Sequence, residues 1–348
     1  MESQSKSAPR MVSGVCVEPG LFSLMERDLP LSAPEGWVLV DLAAAGICGT
    51  DYHIFEGKHP YLEYPRVIGH ELSGYVAEDT GDWKKGQRVV INPYIACGKC
   101  RACRRGKPNC CMEIGVLGVH RDGGLCERIA VPAGNLYDAA NLSERDAALV
   151  EFLAIGAHAV RRSEATEGDR VLVTGAGPIG LGAALFARLA GAEVHMMDMS
   201  GERLEAARAF GFTHLHRPDL PLLVDELADG FDVVFDATGN PKAMEAGFAH
   251  VAHGGTYVLV SVIKGDLTFS DPEFHKREMK LVGSRNAQTP DFLHVMQALS
   301  SGAIDGGQLV STVLTLEELP QKLPVLAADR SNLIKALVAL PAWGSRHD

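Results

Sequence analysis

The chain has 348 residues, enough for two domains with substantial cores, and 46% of them are hydrophobic. A formal net charge of −11 excludes a general nucleic-acid or acidic-membrane surface, since polyanions are repelled at long range, and points to small-molecule partners. No apolar run reaches the length of a bilayer crossing, and Arg188 interrupts the longest candidate, Leu181 to Ala190. Met1 to Arg10 is polar and lacks the apolar core that export requires, so a tail of little order and a reducing, cytoplasmic setting are expected.

After that tail come many Gly and Pro residues and short β-prone runs such as Trp37 to Ala43 and Gln87 to Ile91, the texture of an irregular β-rich domain. Gly46-Ile47-Cys48-Gly49-Thr50-Asp51-Tyr52-His53 supplies a soft ligand, a hydroxyl and an imidazole in one turn-rich stretch. Gly69-His70-Glu71 adds a second imidazole and a carboxylate. A catalytic zinc needs about three protein ligands and one open position. Cys48 and His70, completed by either Glu71 or Glu151, meet that need. Taken singly, Cys48 would be a small buried hydrophobe, His70 a hydrogen-bonded structural residue and Glu151 a surface acid; their conjunction with the motifs that follow favours a metal site.

Next comes a loop rich in Gly, Lys and Arg that carries Cys97, Cys100, Cys103 and Cys111 in a C-x2-C-x2-C-x7-C arrangement. Four thiolates this close can close a tetrahedral shell around zinc with no position left for substrate, which makes the site structural. Cys110 competes with Cys111 for the fourth place. Cys16 and Cys126 have no such company and read as packing residues.

The middle of the chain is the most regular. Arg170 to Ala176 reads as a buried strand running into Gly175, Gly177 and Gly180, a G-x-G-x-x-G turn that opens the helical pattern of Ile179 to Leu189, with Pro178 in its first turn. A strand at Glu193 to Met197 then ends in Asp198, near the distance at which an acid meets the adenosine ribose. The glycines admit the pyrophosphate, and the helix start offers unpaired N–H groups and a positive dipole. Asp198 favours NAD over NADP, because a carboxylate bonds two ribose hydroxyls and repels a 2′-phosphate. Arg203, on the following helix, packs over the adenine or lies on a solvated face.

Further strands are predicted at Asp232 to Ala237, Thr256 to Val262 and Lys280 to Ser284, with helices at Glu202 to Phe210 and Pro241 to Val251. The alternation implies an α/β domain with a doubly wound parallel sheet. Thr289 is expected to cap a helix that has Pro290 in its first position and runs to Leu299; a last strand is expected at Leu337 to Leu340. That tail is too short for a domain of its own and should pack back on the first one.

The order Gly-Ile-Cys-Gly-Thr-Asp-x-His, Gly-His-Glu, four-cysteine lobe, Glu-x-Leu-Ala and Gly-Ala-Gly-Pro-Ile-Gly resembles the zinc-containing medium-chain dehydrogenase/reductase family across nearly the whole chain. The resemblance implies a GroES-like catalytic domain over residues 1–155 with two zincs, one catalytic and one structural. It also implies a Rossmann NAD-binding domain over 156–287, a C-terminal segment 288–348 returning to the first domain, and a homodimer or homotetramer. The family spacing favours Cys111 over Cys110 as the fourth structural ligand. It places Gly175, Gly177, Pro178, Ile179, Gly180, Asp198 and Arg203 at the cofactor, and gives Thr50 and His53 the task of carrying a proton out. Glutamate at 151, where alcohol dehydrogenases of the family use a second cysteine, is the polyol-dehydrogenase pattern; it makes the metal site harder and suits a hydroxyl-rich substrate. Phe152 departs from the proline that often follows that glutamate.

A narrower resemblance runs through Tyr64 to Glu71, Asn109-Cys110-Cys111, Gly118 to Gly124 and Ser270 to Lys276. These are similar to bacterial sugar-acid dehydrogenases that oxidise the C5 hydroxyl of L-galactonate or L-gulonate; sorbitol and threonine dehydrogenases are more distant. A sugar acid needs a cation for its carboxylate, for which Arg285, Lys264, His120 and Arg121 are candidates. The non-enzymatic alternative is a zinc-stabilised NAD-binding sensor.

Overall fold

A computed structural model describes residues 9–59, 62–220, 228–331 and 333–344. Most of the polar N-terminal tail therefore lies outside the described residues. The chain divides into two compact units, residues 1–151 with 309–348, and residues 152–308. No described helix is long and apolar enough to cross a membrane.

The first unit is built on a sheet whose order runs Leu136–Asp138, Arg88–Ile91, Glu71–Val76, Trp37–Ile47, Lys335–Ala339, Val310–Thr315, with Arg128–Pro132 also paired to Trp37–Ile47. The strand expected at Trp37 to Ala43 continues to Ile47, and its residues from Leu42 on are all buried. Such a near-continuous apolar run suits a strand covered on both faces. Its register sets Gly46 opposite Glu71 and Ile47 opposite Ala336. Cys48, Glu71 and Lys335 thus issue from neighbouring strand ends. A side chain at Gly46 would overlap the Glu71 carboxylate, so only glycine leaves Glu71 room there.

The second unit is a parallel sheet ordered His214–His216, Glu193–Met197, Arg170–Thr174, Phe231–Asp236, Val251–Leu259, Lys280–Gly283. In chain order this is 3-2-1-4-5-6, the dinucleotide-binding arrangement, with the cofactor crevice at the carboxyl ends of the strands. The core includes Leu172, Phe231, Val234, Val251 and Tyr257, all fully buried. One expectation needs correction, and one strand is additional. The helix from Pro241 stops at Gly247, and Val251, assigned to its end, instead opens the next strand by pairing with Phe231. The edge strand His214–His216 was not foreseen, because three residues with two histidines carry no apolar alternation.

Domain limits also shift. The first unit ends at Glu151 and not at 155, and the return begins at Leu309 and not at 288. Polar contacts tie the helix Thr289–Ser300 to the second unit: Asp291 lies 2.8 Å from His158 Nδ1 and accepts from Arg161 Nε at 2.6 Å, both on the helix Val150–Ser163. The N-cap is Gln288 and not Thr289, because the Asp291 carboxylate reaches back three residues to the Gln288 amide at 2.8 Å.

Burial would raise the Asp291 carboxyl, but hydrogen bonds from His158, Arg161 and the Gln288 amide outweigh it and bring it down to about 2. An unfolded aspartate titrates near about 3.9, so the charge contributes roughly 2–3 kcal/mol of stability above that pH, lost as pH falls through about 2. Urea unfolding should show Asp291→Asn less stable by about that amount at pH 6. The gap from wild type should narrow once the pH drops below about 4; a gap that stays constant on acidification would refute the charge argument.

Candidate active site

Cys48 caps the helix Gly49–Phe55, and the carboxylate of Asp51, three residues on, accepts from the Cys48 amide at 2.8 Å. Its other oxygen accepts from the Gly69 amide at 3.2 Å and stands 3.8 Å from His70 Nδ1. One fully buried carboxylate therefore fixes both backbones that present metal-type donors. Gly69 has φ +95°, a left-handed conformation that a side chain would resist, and its turn delivers His70 and Glu71 to the site.

Ligand atoms of Cys48, His70 and Glu71 all lie within 4.8 Å of one another. His70 Nδ1 is buried without a hydrogen-bond partner. Burial opposes a charged His70, but the carboxylate of Asp51, then the Cys48 sulfur and Glu151, pull its pKa well above the ordinary range. Glu151, 3% exposed, accepts from the buried Tyr94 hydroxyl, and burial pushes its carboxyl up to about 7. Glu71, fully buried, receives both oxygens' bonds from Lys335 Nζ, at 2.6 and 2.7 Å; Lys335 also donates to the Ile47 carbonyl at 3.3 Å. A pocket of three carboxylates, a sulfur and an imidazole with one lysine is short of positive charge. A divalent cation fits that deficit, and the donor types suit zinc.

Thr50 and His53 sit three residues apart on the helix Gly49–Phe55, so they share a face. His53 is exposed; partial burial and the Arg330 guanidinium hold its pKa below the ordinary value.

The second cluster gathers Cys97, Cys100, Cys103 and Cys111 with their sulfurs inside 4.8 Å. Cys100 Sγ lies 3.5 Å from Cys103 Sγ and 4.0 Å from Cys111 Sγ. Those values bracket the separation of about 3.8 Å expected between corners of a zinc–thiolate tetrahedron with bonds of about 2.3 Å. The amides of Cys97 and Glu113 donate to Cys111 Sγ at 3.2 and 3.4 Å. Amide bonds from Cys103 and Met112 bring the Cys100 thiol down to about 6, the form that binds metal. Cys110 is exposed and outside the group, whereas Cys111 is 3% exposed. Cys16 and Cys126 are buried, and desolvation pushes their thiols up to about 11 and about 12, as packing residues.

In the second unit Gly175 has φ +93°, and a side chain there would press on the Ala237 backbone at 2.8 Å; one at Gly180 would overlap the Gly175 carbonyl. Gly177 is the N-cap of the helix Pro178–Leu189, and a side chain there would meet nothing nearer than the Arg203 guanidinium at 3.9 Å, which leaves space for a phosphate. Ile179 follows, half-buried, in the helix's first turn. Asp198 Oδ2 accepts from the Ala176 amide at 2.7 Å and Oδ1 from the Ser200 amide at 2.8 Å. Arg203 pairs with Asp198 at 3.7 Å. Arg285 and Lys264 are exposed on this unit; His120 and Arg121 are exposed on the first, where His120 Nδ1 accepts from the Val116 amide at 3.2 Å.

Comparison with known proteins adds a family to this geometry. Residues 34–141 match the alcohol dehydrogenase GroES-like domain and residues 178–301 the zinc-binding dehydrogenase domain. The L-galactonate-5-dehydrogenase of Escherichia coli K12 is 39% identical over 93% of this chain and 97% of its own. The chain belongs to the zinc-containing medium-chain dehydrogenases. Among solved structures, this dehydrogenase is similar to the E. coli CFT073 RspB alcohol dehydrogenase complexed with NADH, with TM-score 0.88, 29% identity, and coverage of 95% of this chain and 99% of that one. It is likewise similar to E. coli L-idonate 5-dehydrogenase, with TM-score 0.88, 26% identity and the same coverages.

Three residues that hold the site's donors, Asp51, Tyr94 and Lys335, carry little signal in the sequence. Asp51 lies inside the Gly46 to His53 stretch, where nothing marks it as a backbone anchor. Tyr94 sits next to no motif, and Lys335 lies 264 residues from its partner. The one signal for Lys335 was a lysine at the mouth of an otherwise apolar strand, Lys335–Ala339.

Proposed function

We propose that this dehydrogenase oxidises the C5 hydroxyl of a sugar acid, L-galactonate or L-gulonate, to a keto-acid, with NAD as hydride acceptor. The convergence of Cys48, His70 and Glu71 with Glu151 beside them carries the reading, because a carboxylate-rich donor set suits a hydroxyl-rich substrate. The L-galactonate and L-idonate dehydrogenases among its relatives support the sugar-acid class. Cys48, His70 and Glu71 would hold the catalytic zinc, and Cys97, Cys100, Cys103 and Cys111 the structural one. When bound, the catalytic zinc supplies a Lewis acid that lowers the pKa of the substrate hydroxyl. The Thr50 hydroxyl takes up the substrate hydroxyl's proton as it gives its own onward, and His53, exposed and with its pKa held below the ordinary value, passes a proton to solvent. Asp51 holds the Cys48 and Gly69 backbones that present the ligands; Tyr94 holds Glu151. The glycine turn and the helix start at Pro178 bind the cofactor pyrophosphate, while Asp198 takes the adenosine ribose. Arg285, with Lys264 and His120 as further cations, meets the substrate carboxylate. A homodimer or homotetramer in the cytoplasm completes the proposal.

Purified protein mixed with NAD and a panel of aldonates and polyols, followed by NADH absorbance, tests this directly. Aldonates should give the highest kcat/KM. A preference for sorbitol-like polyols or threonine would move the assignment to those branches, and no signal with any secondary alcohol despite bound zinc would favour a sensor. Arg285→Ala should impair aldonates by about one to two orders of magnitude, the worth of a charge-assisted bond, and spare neutral polyols. Equal losses on both would remove Arg285 from carboxylate binding. Asp198→Ala should cost NAD a similar factor in kcat/KM and improve the use of NADP; an unchanged ratio of the two cofactors would contradict the ribose role.

A further inference from the structure

The described residues contain a third group of metal-type donors, Glu193, His195 and His214, whose ligand atoms lie within 4.8 Å of one another. It belongs to the second unit, on the edge of the nucleotide-binding sheet, whereas both cysteine-containing groups belong to the first. The strands Glu193–Met197 and His214–His216 pair in parallel with His195 opposite His214 and Met197 opposite His216. Side chains alternate faces along a strand, and partners in register share one, so Glu193, His195, His214 and His216 all project from the same face. Glu193 opens its strand while Asp198 follows the other end, which separates this group from the cofactor crevice.

The contacts within the group have the form of a ligand set with its support. His195 is 3% exposed and is stacked on the His214 ring at 4.4 Å between centroids, with Phe231 edge-on at 5.1 Å. Its Nε2 lies 2.8 Å from Glu193 Oε1, and its Nδ1 lies 2.9 Å from His216 Nε2. One neutral ring has one N–H to give. With the proton on Nδ1, donated to His216, Nε2 turns a lone pair toward the Glu193 carboxylate, and the partner on the other nitrogen fixes the tautomer as in protein metal sites. Glu193 and His214 are exposed, so ions reach the group from solvent.

We propose that Glu193, His195 and His214 form a third cation site, for a divalent transition metal of the zinc, nickel and copper class, with His216 as the positioning residue. Two imidazoles and one carboxylate are the donors those ions prefer, whereas calcium and magnesium favour all-oxygen shells. The cation takes the Nε2 lone pair of the neutral His195 ring, whose single N–H lies on Nδ1 and goes to His216, so no proton is released from the ring.

Equilibrium dialysis of the zinc-loaded protein against Ni2+, with nickel and zinc counted together by elemental analysis, tests the site. Wild type should take up one nickel per chain with its zinc retained. His214→Asn and Glu193→Gln should abolish that uptake, and His216→Gln should weaken it by about 10–100-fold. Turnover and zinc content should stay unchanged in all three. No nickel beyond the zinc in wild type, or uptake undiminished in His214→Asn and Glu193→Gln, would overturn the proposal. Zinc absent from the starting protein would count against the proposed function and leave the nickel comparison intact.

Discussion

Lys335→Met will destabilise the metal-free protein by about 3–5 kcal/mol, the cost of removing one partner from a buried ion pair. Lys335 is 3% exposed and Glu71 fully buried, and the ammonium bonds both carboxylate oxygens. With methionine in its place, the buried Glu71 carboxylate loses the ammonium that bonds both its oxygens, beside Glu151 and Asp51. Denaturant unfolding of the metal-free variant reads the loss. The double variant Lys335→Met with Glu71→Leu should recover most of it, because removing both charges removes the penalty.

Zinc loading makes the same variant informative about ligation. A bound divalent cation would offset the orphaned Glu71, so the loss should shrink in the zinc-loaded protein if Glu71 faces the metal. An equal loss with and without zinc would assign Glu71 to the lysine alone and leave the ligand role to Glu151. Turnover should fall about 10–100-fold, the usual effect of disturbing a group that orients a metal ligand. Full turnover in Lys335→Met would reject a positioning role for the lysine.

The contrast between what the sequence revealed and what it hid follows from contact range. The glycine turn was legible because Gly175, Gly177 and Gly180 act on a strand and helix that adjoin them in the chain, and the thiolate cluster because its four members span one loop. Lys335 was not, since its charge is neutralised across 264 residues and nothing nearby marks it as buried. The helix Thr289–Ser300 changed units for a similar reason: its Asp291 joins His158 and Arg161 some 130 residues earlier. Even the ambiguity between Glu71 and Glu151 was a matter of partners. Both are buried acids by position, but one meets an ammonium and the other a phenol.

Cys111→Ser is expected to lower the zinc content by one ion per chain, while Cys110→Ser leaves it unchanged. The two residues are adjacent, yet Cys111 is buried among the sulfurs and receives two amide hydrogen bonds, whereas Cys110 points to solvent. Four thiolates and one zinc carry a net charge of −2, and the same loop supplies Lys99, Arg101, Arg104, Arg105 and Lys107 around it. A serine hydroxyl neither ionises at neutral pH nor matches zinc's preference for sulfur. Structural zinc is worth about 10–16 kcal/mol in small zinc-binding peptides, so even a fraction of that would rank with the Lys335 effect. The loss should show as a lower unfolding midpoint and as faster proteolysis near Cys97 to Cys111. Turnover below that midpoint should persist if the proposed catalytic groups, Cys48, His70 and Glu71, carry the reaction. Loss of zinc from Cys110→Ser instead would exchange the two assignments, and loss of turnover in step with the structural zinc would make the lobe part of the active site.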